Sequence, residues 1–147
     1  MFRLSFSALL IAAFLLPEIL CADEQPLVPI GAAKVDITPP YPIRLTGYGS
    51  RPVEAEGVEQ KLQARALAIG SDDDGPTVIV TVELLGITPE LRSAALARIN
   101  MQYAVSNDKF VLCATHTHNG PCVNGVCPLI FGDTIREPEQ ERIDDYT

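Results

Sequence analysis

Phe110-Val111-Leu112-Cys113-Ala114-Thr115-His116-Thr117-His118-Asn119-Gly120-Pro121 runs from five apolar residues into the two histidines of this 147-residue chain and stops at a Gly-Pro turn. A continuous apolar run of that length predicts a strand buried on both faces, of the kind α/β proteins hold between covering layers. Sites in such folds sit at the carboxyl ends of strands, where the histidine pair falls. In extended backbone, side chains at i and i+2 leave on the same face, so both imidazoles can reach one point. Neutral imidazole is a common zinc ligand, and catalytic zinc needs protein ligands plus an open position for water. Two histidines are too few for such a site, and a pair of turn histidines bonded to backbone satisfies the spacing equally well.

Upstream, Gly31-Ala32-Ala33-Lys34-Val35-Asp36-Ile37-Thr38 reads as a strand stopped by Pro39-Pro40, since proline cannot donate to a ladder. Pro42 to Pro52, with Gly47-Tyr48-Gly49, is a loop. Leu62 to Ile69 alternates with period two, which predicts a strand. After the turn Gly70 to Pro76, the β-branched run Thr77 to Glu83 should pair back as an antiparallel hairpin. Asp72, Asp73 and Asp74 are consecutive, whereas calcium loops space their acidic ligands alternately, so they read as a solvated turn. Thr88-Pro89-Glu90 marks a helix start, with a hydroxyl cap, proline at the first helical position and an acid near the positive end of the dipole. Leu91, Ala95, Ile99 and Tyr103 recur every four residues and extend that helix toward Ser106. Glu137 to Tyr146 reads as a second helix with Pro138 in its first turn. The chain stops there without a cap or polar tail, as expected of a truncated domain.

Arg3 and the apolar run Leu4 to Leu16, ended by Pro17-Glu18, have the form of a secretory signal peptide over residues 1–22 with cleavage near Ala22. The run is shorter than the roughly 20 residues a bilayer span needs. Residues 23–30 form an exposed leader and 31–147 a single domain. The implied location is secreted or periplasmic. The formal net charge of −8 survives signal removal, because Arg3 and Glu18 cancel. Clustered basic residues are missing, which argues against a nucleic-acid partner and against adsorption to anionic lipid by charge alone. Export allows disulfides, and Cys122 and Cys127 could pair across a short loop. Cys113, in the apolar run, reads as a buried free thiol. A mixed structural site of His116, His118, Cys122 and Cys127 has the chemistry of a Cys2His2 set but no zinc-finger spacing.

Five motifs in order, Gly31-Ala32-Ala33-Lys34-Val35-Asp36-Ile37-Thr38-Pro39, Thr46-Gly47-Tyr48, Gln63-Ala64-Arg65-Ala66, Glu83-Leu84-Leu85-Gly86 and Ala114-Thr115-His116-Thr117-His118-Asn119-Gly120-Pro121, resemble the amino-terminal part of neutral or alkaline, non-lysosomal ceramidases. The resemblance implies an α/β fold with a mixed sheet and covering helices, present here as the incomplete N-terminal portion of a larger catalytic domain. It implies a zinc amidase, a hydrolase of linear amide C–N bonds that cleaves N-acylsphingosine to sphingosine and a fatty acid. Ceramide is then the partner, with transient contact at a membrane surface and no obligate protein partner. His116 matches the family's first zinc ligand, and His118 a neighbouring active-site histidine that contacts substrate or orients the site. Gly47-Tyr48 resembles a loop near the same pocket. Glu83 stands where the family has aspartate, a position that could take a second, structural cation such as calcium or magnesium, or serve as a solvent-facing or capping carboxylate. Asn119 replaces the commoner serine.

The resemblance also implies that a second histidine, a glutamate and a tyrosine complete the zinc site from sequence downstream of this chain. One ligand cannot hold catalytic zinc, so the chain alone is expected to be inactive. Two other His-x-His enzyme classes fit less well. The metallo-β-lactamase pattern needs Asp and His where Gly120 and Pro121 stand, and barrel amidohydrolases carry the pair on their first strand. The remaining alternatives are an exported non-catalytic protein with structural histidines, and a related metal hydrolase of different specificity.

Overall fold

The computed structural model describes residues 27–71 and 73–147. The signal peptide read over 1–22, Cys21 and the first part of the leader lie outside the described residues. Four strands form one mixed sheet in sequential order: β1 (Ile30–Asp36), β2 (Gln63–Ile69), β3 (Thr77–Val82) and β4 (Phe110–Ala114). The first three are antiparallel neighbours, and the hairpin expected between residues 62 and 83 is present, with Ala64 facing Val82 and Ile69 facing Thr77. β4 joins β3 in parallel, with Val78 beside Phe110 and Val82 beside Ala114. Helix α1 (Pro89–Ile99) makes the crossover between them, as a parallel pair requires.

Register decides which side of the sheet becomes core. Ala64, Ala66 and Ala68 of β2 share a face with Val78, Val80 and Val82 of β3 and with Phe110, Leu112 and Ala114 of β4. Small alanines on one strand leave room for branched residues on the next. Ala95, Leu96 and Ile99 of α1 pack on this face around Val78, Val105 and Phe110, while Leu91, Val123, Val126 and Tyr146 close it around Val82 and Leu84. Among the described residues, the opposite face has no such cover. Val111 is 45% exposed and Leu67 37%, against 3% for Phe110. β4 is therefore buried on one face only, contrary to its continuous apolar composition. Cys113 shares that open side, so it is a free but exposed thiol rather than a buried one.

α1 begins as its sequence dictates. The Thr88 hydroxyl accepts from Leu91 N at 3.2 Å, and Pro89 opens the helix. It ends earlier than the four-residue recurrence predicts, at Ile99, leaving Tyr103 outside. The cause is Asn100, whose side-chain amide both donates to the Val105 carbonyl and accepts from Val105 N, each at 2.9 Å, folding residues 100–105 into a loop. Arg92 then ties α1 to the start of β4, donating to the Asn107 and Phe110 carbonyls and lying over the Phe110 ring. Helix α2 (Glu137–Tyr146) occupies the span expected for it and packs Ile143 into a second cluster with Ile43 and Cys122. Tyr146 donates its hydroxyl to the Ile37 carbonyl at 2.8 Å, and burial pushes its pKa up to about 12.

Candidate functional site

Past Ala114 the chain runs alongside the continuation of β3. Thr115 N donates to the Val82 carbonyl and Thr117 N to the Leu84 carbonyl. Between these two anchors His116 turns to φ 61°, the left-handed region, which costs a non-glycine residue about 1–2 kcal/mol. The expectation of two histidines on one face of an extended segment is therefore wrong in its reason. The rings are nonetheless neighbours, with centroids 5.2 Å apart and planes at 71°.

His116 Nδ1 lies 2.8 Å from the Leu85 carbonyl oxygen. A carbonyl only accepts, so Nδ1 carries the hydrogen and donates, and the neutral ring keeps its Nε2 lone pair. Metal-binding histidines are oriented in this way, with one nitrogen fixed by backbone and the other offered outward. His116 is an exposed residue.

His118 is enclosed by the loop that precedes β2. Its ring meets Tyr48 edge-on at 4.9 Å. Gly47, at φ +104°, passes so close that a Cβ there would stand 2.6 Å from His118 Cγ. Only glycine combines that backbone angle with that clearance. Arg51, from the same loop, donates to the His118 carbonyl at 2.6 Å and to Asn119 Oδ1 at 2.7 Å, and its guanidinium lies over the Tyr48 ring at 4.7 Å. The loops are registered by backbone: Leu45 bridges to Pro121, Thr46 N donates to the Gly120 carbonyl, and Cys122 N to the Arg44 carbonyl. Behind them Arg44, 7% exposed, donates to the carbonyls of Arg51 and Pro52 and faces Glu139 of α2 at 3.5 Å. Glu139 also takes a hydrogen bond from Arg136, which holds its carboxyl below the ordinary range.

Glu83 stands apart from the imidazoles. One carboxylate oxygen accepts from Gln63 N at 2.8 Å and the other from Arg65 at 2.6 Å, so its pKa is lowered by Arg65 first and the backbone donor second. It is a clamp between β2 and β3, and a calcium or magnesium ion there would have to displace Arg65. Glu83 also lines, with Thr115, Thr117 and Asn119, a cleft of about 940 Å³ whose far wall is Pro39, Tyr41 and Ile43. Neither histidine lines it.

Among the described residues, no three His, Cys, Asp or Glu side chains are grouped to hold a metal ion. The mixed set of His116, His118, Cys122 and Cys127 is thus not assembled. Cys122 and Cys127 are both free; Cys122 is buried, which pushes its thiol pKa up to about 11. His116 has the donor chemistry of one zinc ligand, since its Nδ1 hydrogen bond to Leu85 leaves the lone pair on Nε2. His118 Nδ1 is buried without a hydrogen-bond partner among the described residues, an orphan that calls for a polar neighbour. Arg51 and the Leu85 carbonyl were not legible as site groups. The first lies 67 residues from His118 and the second is main chain, so neither belongs to a local motif.

A family model described as neutral/alkaline non-lysosomal ceramidase, N-terminal, matches residues 29–128, a span that contains both histidines, Gly47, Arg51 and Glu83. The neutral ceramidase of Pseudomonas aeruginosa is 32% identical over 127 residues, which cover 82% of this chain and 19% of that protein. This chain therefore spans less than a fifth of the length of that relative. No solved structure matches it.

Proposed function

Because this chain belongs to the neutral/alkaline non-lysosomal ceramidase family, we propose that it carries the first zinc ligand and an orienting histidine of an exported amidase that cleaves N-acylsphingosine to sphingosine and a fatty acid. The observation that carries this reading is the hydrogen bond from His116 Nδ1 to the Leu85 carbonyl, which commits the ring to one tautomer and presents Nε2. Zinc, when bound, lowers the pKa of a coordinated water to about 7 and polarises the scissile carbonyl. The chain's own part is to set the imidazoles. His116 is held by a backbone carbonyl that cannot rotate away, and His118 by a loop pressed against its ring. His118 is the group placed to hydrogen-bond the reacting amide or the attacking water. Every zinc ligand after His116 is supplied by sequence outside this chain, so the chain alone is inactive.

The test is to express the reading frame through to its stop codon, measure zinc by elemental analysis, and follow release of a labelled fatty acid from ceramide. One bound zinc and ceramide hydrolysis are expected. His116→Ala should lose the zinc and lower hydrolysis by more than about a hundredfold, since groups one shell further out already cost 10- to 100-fold. Full activity in that variant would overturn the ligand assignment, and a frame that closes at Thr147 would end the enzyme claim for this product.

A further inference from the structure

We propose that Arg51 is a positioning residue for His118. Among the described residues the His118 side chain makes no hydrogen bond that would fix its rotation, and its Nδ1 is buried without a partner. The ring is held instead by surfaces, Tyr48 on one edge and Gly47 beneath. Both belong to the loop that carries Arg51. The guanidinium ties this arrangement together through main chain and side chain. One nitrogen donates to the His118 carbonyl at 2.6 Å, another to the Asn119 side chain at 2.7 Å, and its Cζ lies over the Tyr48 ring at 4.7 Å. Three groups of the two loops are thus joined by one rigid fork. Lysine cannot reproduce this, because an ammonium is a point charge without paired planar donors.

The side-chain hydrogen bonds of Arg51 go to the His118 carbonyl and the Asn119 amide, not to an imidazole nitrogen. Arg51 sets where the His118 backbone sits and how far Tyr48 leans on the ring, and through them the 5.2 Å approach of His118 to His116. For catalysis the inference rests on the ceramidase reading. As geometry it stands without it.

The experiment uses the frame expressed to its stop codon, with Arg51→Lys, Arg51→Ala and Asn119→Ser, and Arg98→Gln, an exposed arginine on α1, as a charge control. Diethylpyrocarbonate labelling resolved by tandem mass spectrometry reads His116 and His118 separately, with no need for activity. Arg51→Ala and Arg51→Lys should speed labelling of His118 several-fold and leave His116 within a factor of about two, because a displaced loop exposes only the ring it covers. Asn119→Ser, which shortens the acceptor of one arm of the fork, should fall between wild type and Arg51→Lys, and keeps the test open if Arg51→Ala does not fold. In kinetics the Arg51 variants should lose about tenfold in kcat with KM and zinc content unchanged, the signature of misplacement rather than lost binding. Unchanged His118 labelling in both Arg51 variants, or equal acceleration of both histidines with a lowered melting temperature, would overturn the proposal. If the unmutated protein fails to hydrolyse ceramide, the ceramidase reading falls while the labelling result still decides the role of Arg51.

Discussion

Gly47 is a position where one added methyl should harm the site directly. Its φ of +104° and the 2.6 Å approach to His118 Cγ exclude any side chain. Gly47→Ala is expected to destabilise by roughly 2 to 5 kcal/mol, the sum of backbone strain and overpacking, read from urea denaturation. A change under about 0.5 kcal/mol would mean the loop and His118 do not approach so closely. The histidine pair itself was legible, because two imidazoles one residue apart at a strand end form a rare local pattern. The reason for their proximity was not. Period-two logic assumes extended backbone throughout, and His116 leaves it at φ 61° to reach the Leu85 carbonyl. Cys113 misleads in a related way, since its apolar neighbours say nothing about whether a second layer covers that face.

Secondary structure was legible where local chemistry decides it and not where a distant residue does. The β2–β3 hairpin follows from alternation and a glycine-rich turn, and the start of α1 from its cap. Thr88→Ala should cost about 1 kcal/mol in a urea melt, because only the hydroxyl bond to Leu91 N is lost. The end of α1 was misplaced because the Asn100 side chain, bonding to Val105, overrides the apolar recurrence that would have carried the helix to Tyr103. The Glu83 clamp is a tertiary feature with a pH signature. Its carboxyl pKa is lowered in the folded state, so its contribution is full above the ordinary glutamate value of about 4.3 and is lost as pH falls through the lower folded value. Arg65 is half exposed, which limits the pair to about 1 kcal/mol or less. Glu83→Gln should therefore be less stable than wild type at pH 7, with the difference shrinking as acidification carries the pH through the lowered folded value. A difference that persists in acid would show that the clamp works by shape rather than charge.

The sheet taken whole has one dressed side and one bare side. Ile30 and Val35 on the outer strand are 69% and 60% exposed, and Val111 and Leu67 remain open on the side away from α1. Unpaired strand edges beside apolar surface invite association between chains. The isolated 147-residue chain should sediment as aggregates, and joining it to the sequence that follows in a longer product should raise the monomer fraction. A monomer that melts cooperatively at high concentration would contradict this. The mixed topology was legible from the order of elements, but the missing second layer was not, since composition reports what a strand could bury and not what is there to bury it.

Arg44 has a consequence in time. It holds the carbonyls of Arg51 and Pro52, and its own charge is met by Glu139, 95 residues further along. A ribosome releases the chain from its amino end, so the loop that grips His118 emerges long before the glutamate that steadies it. The sheet can form first, but the histidine end of the molecule locks only after α2 has left the exit tunnel, and any pause before Glu139 leaves a buried guanidinium waiting for its counter-ion.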